Sequence, residues 1–310
     1  FRKTEGNYDL LIDYGFVNNY ESTSKNKKKN LSHLFINLDK NLNIEAFNES
    51  KLIFSLEKVT DDTYLKVFDS HITNSTARPD DLNKLNNHFK VLLNNDNLKF
   101  NAGIETYEDL QANKSDRYQY ILPYYNFNTE ILQNKYQGTL DFYSSGNNTL
   151  QNTNDLKSVI INDLNFNSIN YFSNLGFNTR FDINLKNLNS VGKKNQNYKS
   201  SPQVEMVSLF NLDTSIPLIK DDKTYINYLT PKISFKFNPT DMKNYSDSSN
   251  KIDIGNIFFN NRLGLDDTFE AGRSLTLGLD YKKERKGELS KINKYFELKL
   301  ATVLRDKEED

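Results

Sequence analysis

The sequence alternates between apolar and polar residues over many short stretches, and this pattern constrains the fold more than any other feature of the chain. In one stretch Leu98, Phe100, Ala102 and Ile104 alternate with polar residues or glycine. Side chains of a β-strand point alternately to the two faces of a sheet, whereas an amphipathic helix repeats about every 3.6 residues. Comparable alternation occurs in residues 8–16, 136–142, 204–210, 233–237, 274–281 and 296–304. The sequence therefore predicts an all-β fold.

Polar stretches that favour turns separate the predicted strands. Asn and Asp suit such turns because they tolerate left-handed backbone geometry and bond their own backbone. Strands of about 9–11 residues with their connections use roughly 20 residues each, which gives about 15 strands. Since strongly twisted open sheets rarely exceed about 10 strands, we predict closure into a large antiparallel up-and-down β-barrel. The predicted loops are residues 21–30, 144–154, 190–201 and 240–250, and the predicted tight hairpin is residues 94–97.

The composition excludes several classes of function. The 310 residues include 40 Lys and Arg against 41 Asp and Glu, and the net charge of −1 gives no basic field to attract nucleic acid. Cysteine is absent, which excludes disulfides, thiol nucleophiles and cysteine-ligated metal sites. The 21 Phe and 18 Tyr argue against a disordered chain. No stretch approaches the roughly 18 apolar residues that a transmembrane helix needs.

The alternation does not decide which face of the sheet is inside. A water-soluble barrel or sandwich turns its apolar face inward, whereas an outer-membrane barrel turns it outward to lipid. Two features favour the membrane: the polar faces carry many charges, which a water-filled lumen accommodates, and aromatic residues such as Tyr8, Phe16 and Tyr281 lie at strand ends, where an interfacial girdle needs them. A soluble β-sandwich or solenoid remains the alternative.

The transmembrane interpretation assigns a side to each strand residue. The charged residues predicted to face the lumen are Asp9, Asp13, Lys99, Glu105, Asp141, Lys236, Asp280, Glu297 and Lys299. The apolar residues predicted to face lipid are Leu10, Ile12, Leu275, Leu277, Leu279, Leu298 and Leu300. Arginine at Leu277 or Leu300 is therefore expected to destabilise the protein more than arginine at Thr276 or Lys299.

We expect no catalytic, cofactor or metal site. The three histidines, His33, His71 and His88, have no metal-ligand spacing, and the sequence has no Gly-x-Ser-x-Gly elbow for a serine hydrolase. Residues 39–50 resemble a calcium loop but have Ile44 where glycine is needed and Ser50 where a bidentate glutamate is needed. The acidic pairs at 61–62 and 266–267 are interpreted as turns, with a loop-edge cation site as the alternative.

Three segments go beyond the general pattern. They read SLEKVTDDTYL at 55–65, DRYQYILPYYNF at 116–127, and LTPKISFKFNP at 229–239, the last continuing through NRLG at 261–264 to FEAGRSLTLGLDY at 269–281. Together they resemble the barrel region of the LptD family of outer-membrane lipopolysaccharide-assembly proteins, also called organic-solvent-tolerance proteins. The richness in Asn and Lys resembles family versions from alphaproteobacteria.

The resemblance implies a non-enzymatic role in transporting lipopolysaccharide to the outer leaflet of the outer membrane of a Gram-negative cell. The implied partners are lipopolysaccharide, an LptE-like lipoprotein plug in the lumen, outer-membrane lipids, and an LptA-like periplasmic bridge reached through a jelly-roll domain. The family has no catalytic residues or cofactors to transfer to this chain.

The resemblance also implies that residues 1–310 are the central section of a very large barrel. The chain begins at Phe1 without a signal peptide, and we expect the N-terminal jelly-roll domain and the terminal gate strands to lie outside it. Alternatives in other classes are a passive porin or receptor barrel, a soluble β-rich binding protein and a barrel lipase. The sequence pattern does not determine the strand register, the extracellular loops or the residues that contact a plug.

Overall fold

The computed structural model describes residues 1–21, 28–152, 154–241, 251–286 and 292–306. Within these ranges the chain is almost entirely β-strand, with one helix, α1 (Tyr64–Val67), and one 3₁₀ turn, Asp69–His71. No helix in the described ranges is long and apolar enough to cross a membrane. The predicted all-β, antiparallel up-and-down fold class is confirmed.

The strands of the described residues are β1 (Arg2–Glu5), β2 (Tyr8–Glu21), β3 (Lys28–Asn41), β4 (Glu49–Val59), β5 (Lys84–Asn94), β6 (Leu98–Asp109), β7 (Tyr118–Asn134), β8 (Gly138–Gln151), β9 (Asp155–Ser168), β10 (Tyr171–Phe172), β11 (Asn178–Lys193), β12 (Gln203–Ser215), β13 (Leu218–Asp221), β14 (Tyr225–Asn238), β15 (Gly272–Lys286) and β16 (Ile292–Arg305).

The strands form a 16-stranded antiparallel sheet in which each long strand pairs with the next along the chain. The short strands β10 and β13 lie off this path and pair with β11 and β14. The path of pairing in the described residues starts at β1 and ends at β16, so the sheet is not closed there. Most of the long strands exceed the predicted length of about 9–11 residues, and β7 reaches 17 residues.

One predicted loop is wrong and one predicted hairpin is confirmed. Most of residues 144–154 belong to β8, because polar side chains there bond across the strands: Ser144 Oγ lies 3.1 Å from Tyr125 Oη, and Asn148 Oδ1 accepts a hydrogen bond from Ser158. In the hairpin at 94–97, Asn95 donates from its backbone N–H to the Leu98 carbonyl over 2.8 Å. Most of another predicted loop, residues 242–250, lies outside the described residues.

The chain divides into two compact units, each considered separately. Unit 1 comprises residues 1–129, 143–161 and 189–204, and unit 2 comprises residues 130–142, 162–188 and 205–310.

Unit 1 has an apolar core on one face of β3–β5. The connection from β4 to β5, residues 60–83, packs on this face, and we call it the unit-1 cover. It contributes Tyr64, Leu65, Ile72 and Ala77 to the core. The rest of the cluster is Leu31 and Phe35 of β3, Val59 of β4, Leu85 of β5, and Leu110.

In unit 2 the second half of the connection from β14 to β15 folds against the sheet. We call this segment, residues 251–271, the unit-2 cover. Phe269 of the cover clusters with Val207 and Leu209 of β12. This apolar cluster is small, so most of the attachment of the unit-2 cover is polar.

Candidate functional site

Unit 2 buries the polar face of its strands and leaves the apolar face open. Ser234 and Thr276 are 0 % exposed, whereas the neighbouring Ile233 and Leu277 are 49 % and 38 % exposed. Buried polar groups cost free energy unless they are hydrogen-bonded, so this arrangement is the reverse of a water-soluble sheet.

Strand register assigns the remaining residues to the two faces, because directly paired residues point the same way. The covered face comprises Asn211, Asp213, Lys232, Ser234, Lys236, Ser274, Thr276 and Asp280. The open face comprises Phe210, Leu212, Ile233, Phe235, Phe237, Leu275, Leu277 and Leu279.

An ion pair joins the middle of the unit-2 cover to its C-terminal end. The Arg262 side chain is fully buried, and its guanidinium donates to both carboxylate oxygens of Glu270, one of them over 3.1 Å. A further hydrogen bond of 3.2 Å joins Arg262 Nη1 to Thr276 Oγ1 on β15. Arg305 of β16 also lies 3.2 Å from Glu270. The bidentate pair lies within the cover, and its contacts with Thr276 and Arg305 tie the cover to the sheet at a desolvated point.

Side chains of the covered face bind the backbone of the unit-2 cover. Lys186 of β11 donates from Nζ to the Asp266 carbonyl over 2.7 Å and to Asp163 over 2.8 Å. Lys236 of β14 donates to the Phe259 carbonyl. Asn238 donates to the carbonyls of Phe269 and Glu270 over 3.2 and 3.1 Å. The cover is thus held by groups whose burial would otherwise be unfavourable.

A network of amides and carboxylates joins the cover to three strands. Asn211 of β12 donates to Asp182 of β11 over 3.2 Å and accepts from Ser234 of β14 over 3.0 Å. Asn260 of the cover donates to the same Asp182 carboxylate over 3.0 Å. Asp182 therefore receives a donor from the sheet and a donor from the cover.

The charged residues predicted to face the lumen in unit 2 differ in their surroundings. Lys236 is buried under the cover, although the sequence pattern alone suggested a solvated lysine. Asp280 pairs with Lys232 and is the direct cross-strand neighbour of Lys299. Lys299 lies 2.9 Å from Glu297, and both remain partly exposed. Asp141 lies half-buried on β8.

The predicted lumen residues of unit 1 include a desolvated cluster around Glu105 of β6. Glu105 is buried, lies 2.9 Å from Lys90, and accepts a 2.5 Å hydrogen bond from Tyr107 Oη. Asp9 instead forms an exposed 2.7 Å pair with Arg2, and Lys99 is exposed at the start of β6.

Asp13 lies beside a buried histidine that contacts the unit-1 cover. Asp13 Oδ1 is 3.5 Å from His33 Nε2, and Tyr64 Oη of α1 is 2.9 Å from His33 Nδ1. Burial, with a contribution from Asp13, raises the pKa of the Tyr64 hydroxyl, so this group keeps its proton. Tyr64 can therefore donate to Nδ1 when the ring proton is on Nε2, towards Asp13.

Two of the residues predicted to face lipid start apolar rows across unit 1. Leu10 pairs with Leu38, Leu38 with Phe54, Phe54 with Phe89, and Phe89 with Ile104, so the row crosses β2 to β6. Ile12 begins a similar row through Ile36 and Leu56.

The other residues predicted to face lipid share the open face of unit 2. Leu300 pairs with Leu279, and Leu298 pairs with Tyr281. Leu277, Leu298 and Leu300 are exposed, and Leu275 and Leu279 are half-buried. Thr276 is fully buried beneath Arg262, so an arginine there would displace the cover and would not be the mild change that the sequence suggested.

No cluster of three or more metal-ligating side chains occurs among the described residues. The acidic pair at 61–62 forms a turn, in which Asp61 Oδ1 accepts from the Thr63 backbone N–H over 3.0 Å. Asp62 pairs with Arg117, which raises the pKa of that guanidinium.

Sequence reasoning missed the residues that attach the unit-2 cover, namely Asp182, Lys186, Asn211, Asn238, Arg262 and Glu270. Two of them could have been noticed in the sequence. Arg262 and Glu270 lie in the third segment that resembles the LptD family, and there they are charged residues outside any alternating stretch.

Comparison with known proteins agrees with this geometry. A family model described as LptD, LPS transport system D, matches residues 32–302. No curated protein matches the chain. The family is a transport family and not an enzyme family. An antiparallel sheet with an open apolar face and a covered polar face is the arrangement expected of an outer-membrane strand section. The chain therefore belongs to the LptD family of outer-membrane β-barrel proteins of lipopolysaccharide transport.

Proposed function

We propose that this chain is the central section of the barrel through which lipopolysaccharide reaches the outer leaflet of the outer membrane. The covered faces of the strands border the aqueous passage for the glycan, and the open faces contact membrane lipid. The inverted burial of unit 2 carries this proposal, since Ser234 and Thr276 are buried among polar partners while Ile233 and Leu277 are open.

The charges that border the proposed passage are paired with opposite charges. Asp280 pairs with Lys232, and Lys299 pairs with Glu297. A phosphorylated glycan would meet no excess of positive charge at these pairs, so it can move past them without strong retention. Transport requires binding that is weak enough for release.

The proposal extends to the rest of the barrel and to its partners. An open path of paired strands leaves sheet edges that further strands would cover, which supports a larger barrel with gate strands outside residues 1–310. We place the N-terminal jelly-roll domain, the LptA-like bridge and the LptE-like plug in the same assembly, in the outer membrane of a Gram-negative cell of the alphaproteobacterial type.

Site-specific crosslinking in cells tests the assignment of the faces. A photoreactive amino acid replaces Asp280 on the covered face or its cross-strand neighbour Lys299, and Leu277 or Leu300 on the open face, in the full-length protein. We expect lipopolysaccharide adducts through the glycan at the first pair and adducts with lipid chains at the second. Equal yields of glycan adducts on both faces would contradict the proposal.

The alternatives predict different results in the same preparations. A passive porin would conduct small solutes in planar bilayers when purified alone and would give no lipopolysaccharide adducts. A soluble binding protein would remain in solution without detergent. A barrel lipase would hydrolyse ester substrates.

A further inference from the structure

Unit 2 contains a groove of about 370 Å³ beside the unit-2 cover. One wall consists of strand residues of the covered side, Asn178 and Arg180 of β11, Asp213 of β12 and Lys232 of β14. Phe258 and Phe259 of the cover form the other wall. The volume lies within the range of about 300–1,000 Å³ that is typical of small-molecule pockets.

The groove presents both donors and acceptors. Arg180 donates from Nε to Asp213 Oδ2 over 3.2 Å. Its side chain is 50 % exposed, so further N–H groups of the guanidinium remain accessible to a ligand. Among the described residues, Asp213 Oδ1 and the Asn178 amide oxygen have no hydrogen-bond partner. Both oxygens are buried, so a ligand that reaches them must donate a hydrogen bond to each of them and accept from the two cations, Arg180 and Lys232.

The charge balance of the groove disfavours a phosphate. Arg180 and Lys232 are its cations, and each is already paired, Arg180 with Asp213 and Lys232 with Asp280. Asp182 is a further carboxylate, 4.0 Å from Arg180. A phosphate offers mainly acceptor oxygens, so it would leave the two unpartnered oxygens unsatisfied and meet the repulsion of the carboxylates.

The absence of a side chain at Gly278 leaves room for the Phe258 ring of the aromatic wall. A Cβ atom at Gly278 of β15 would lie 2.8 Å from Phe258 Cε2, so the Phe258 ring occupies the space that any other side chain would take. Lys232 Nζ lies 5.6 Å from the centroid of the same ring. An aromatic surface beside paired polar groups suits a ligand with an apolar ring face and polar edges.

We propose that this groove binds an uncharged sugar ring. The hydroxyl groups donate to Asp213 and Asn178 and accept from Arg180 and Lys232, while the C–H face of the ring packs on Phe258. The inference deepens the proposed function, on which it rests for the source of the sugar, namely an unphosphorylated part of the transported glycan. The groove then gives the glycan a resting position on the covered face.

Fluorescence of a Phe258→Trp variant tests the binding. Since the chain has no tryptophan, the difference in emission between the variant and the unsubstituted full-length protein in detergent reports on the groove. The probes are maltotriose, glucose 1-phosphate and inorganic phosphate. We expect a saturable change with maltotriose and none with phosphate, and weaker binding of glucose 1-phosphate. Saturation from phosphate alone would overturn the proposal. The control reporter is Phe172→Trp, at an exposed position outside the groove, where no saturable change is expected.

Saturation-transfer NMR measures maltotriose binding to the unsubstituted protein, so the test does not depend on the Phe258→Trp substitution. Asp213→Asn and Gly278→Ala are each expected to weaken maltotriose binding about tenfold, through loss of the charged acceptor and displacement of the aromatic ring. Asp221→Asn, a matched change on β13 outside the groove, should have no effect. Unchanged binding in both groove variants would contradict the inference.

The two proposals fail in different ways. If the protein binds sugar but gives no lipopolysaccharide adducts on the covered face, the proposed function is wrong and the sugar site is supported. If it gives adducts but binds no sugar, the sugar site is wrong and the proposed function is supported.

Discussion

Arg262 and Glu270 form a buried ion pair across eight residues of the unit-2 cover, and Arg262 also reaches Thr276 on β15. The pair links a connecting segment to the polar face of a sheet whose apolar face is open. The attachment of the cover thus depends on charges that have left water, and it should fail when one partner is removed.

Arg262→Met is therefore expected to destabilise the folded protein by about 3–5 kcal/mol, because it leaves Glu270 buried with fewer donors. Thermal unfolding in detergent, followed by the mobility shift of unheated and heated samples on gels, measures the loss. Arg273→Met is the matched control, since Arg273 is largely exposed and lies 4.0 Å from Asp306. The double variant R262M/E270M should regain part of the stability, and equal losses in R262M and R273M would refute the role of the buried pair.

The open face should reject charge. On the proposed assignment of the faces, Leu277→Arg and Leu300→Arg are expected to cost about 2–4 kcal/mol near the bilayer midplane, because the guanidinium must leave water. Unfolding in lipid vesicles against urea provides the measurement. Lys299→Arg, next to Leu300 on the other face, is the control and should leave stability unchanged. If L300R and K299R behave alike, the assignment of the faces is wrong.

Attachment of the unit-2 cover should protect the polar face from reagents. The chain has no cysteine, so Ser234→Cys provides one reactive thiol at a fully buried position and Lys299→Cys provides one at a partly exposed position. We expect maleimide to modify the first at least about tenfold more slowly, which corresponds to a local opening free energy of about 1.4 kcal/mol. Adding R262M should accelerate the reaction at position 234. Similar rates at both positions in the parent protein would show that the cover does not shield the sheet.

The unit-1 cover depends on space beside Gly15. A Cβ atom there would lie 2.8 Å from His33 Nδ1 and 3.3 Å from Tyr64 Oη, so Gly15→Ala must displace the contact between β3 and α1. The expected loss is about 1–3 kcal/mol, as for other overpacked sites, with faster tryptic cleavage after Lys66 in the cover. Gly6→Ala, where nothing lies within 4 Å of the added atom, serves as the control. Unchanged cleavage in G15A would contradict the packing of α1 on His33.

The sequence by itself determined the all-β class and the two-faced character of the strands, because alternation with period two is a local property of the extended chain. Leu275, Leu277 and Leu279 share a face in any strand that contains them, whatever surrounds that strand. The hairpin at 94–97 was equally predictable, since Asn95 supplies both the backbone and the side-chain hydrogen bonds of the turn. The loop predicted at 144–154 was not, because its polar residues are satisfied by partners on neighbouring strands.

Only the tertiary structure decided which face is covered and what covers it. Alternation is the same whether the apolar side faces inward or outward. The sequence therefore places Lys236 on the polar face but does not predict that it is buried and bonded to the Phe259 carbonyl. The attachment of the unit-2 cover joins residues far apart in the chain, such as Lys186 and Asp266, which are 80 residues apart. Such contacts depend on the register of several strands at once, and no local pattern in the sequence encodes them.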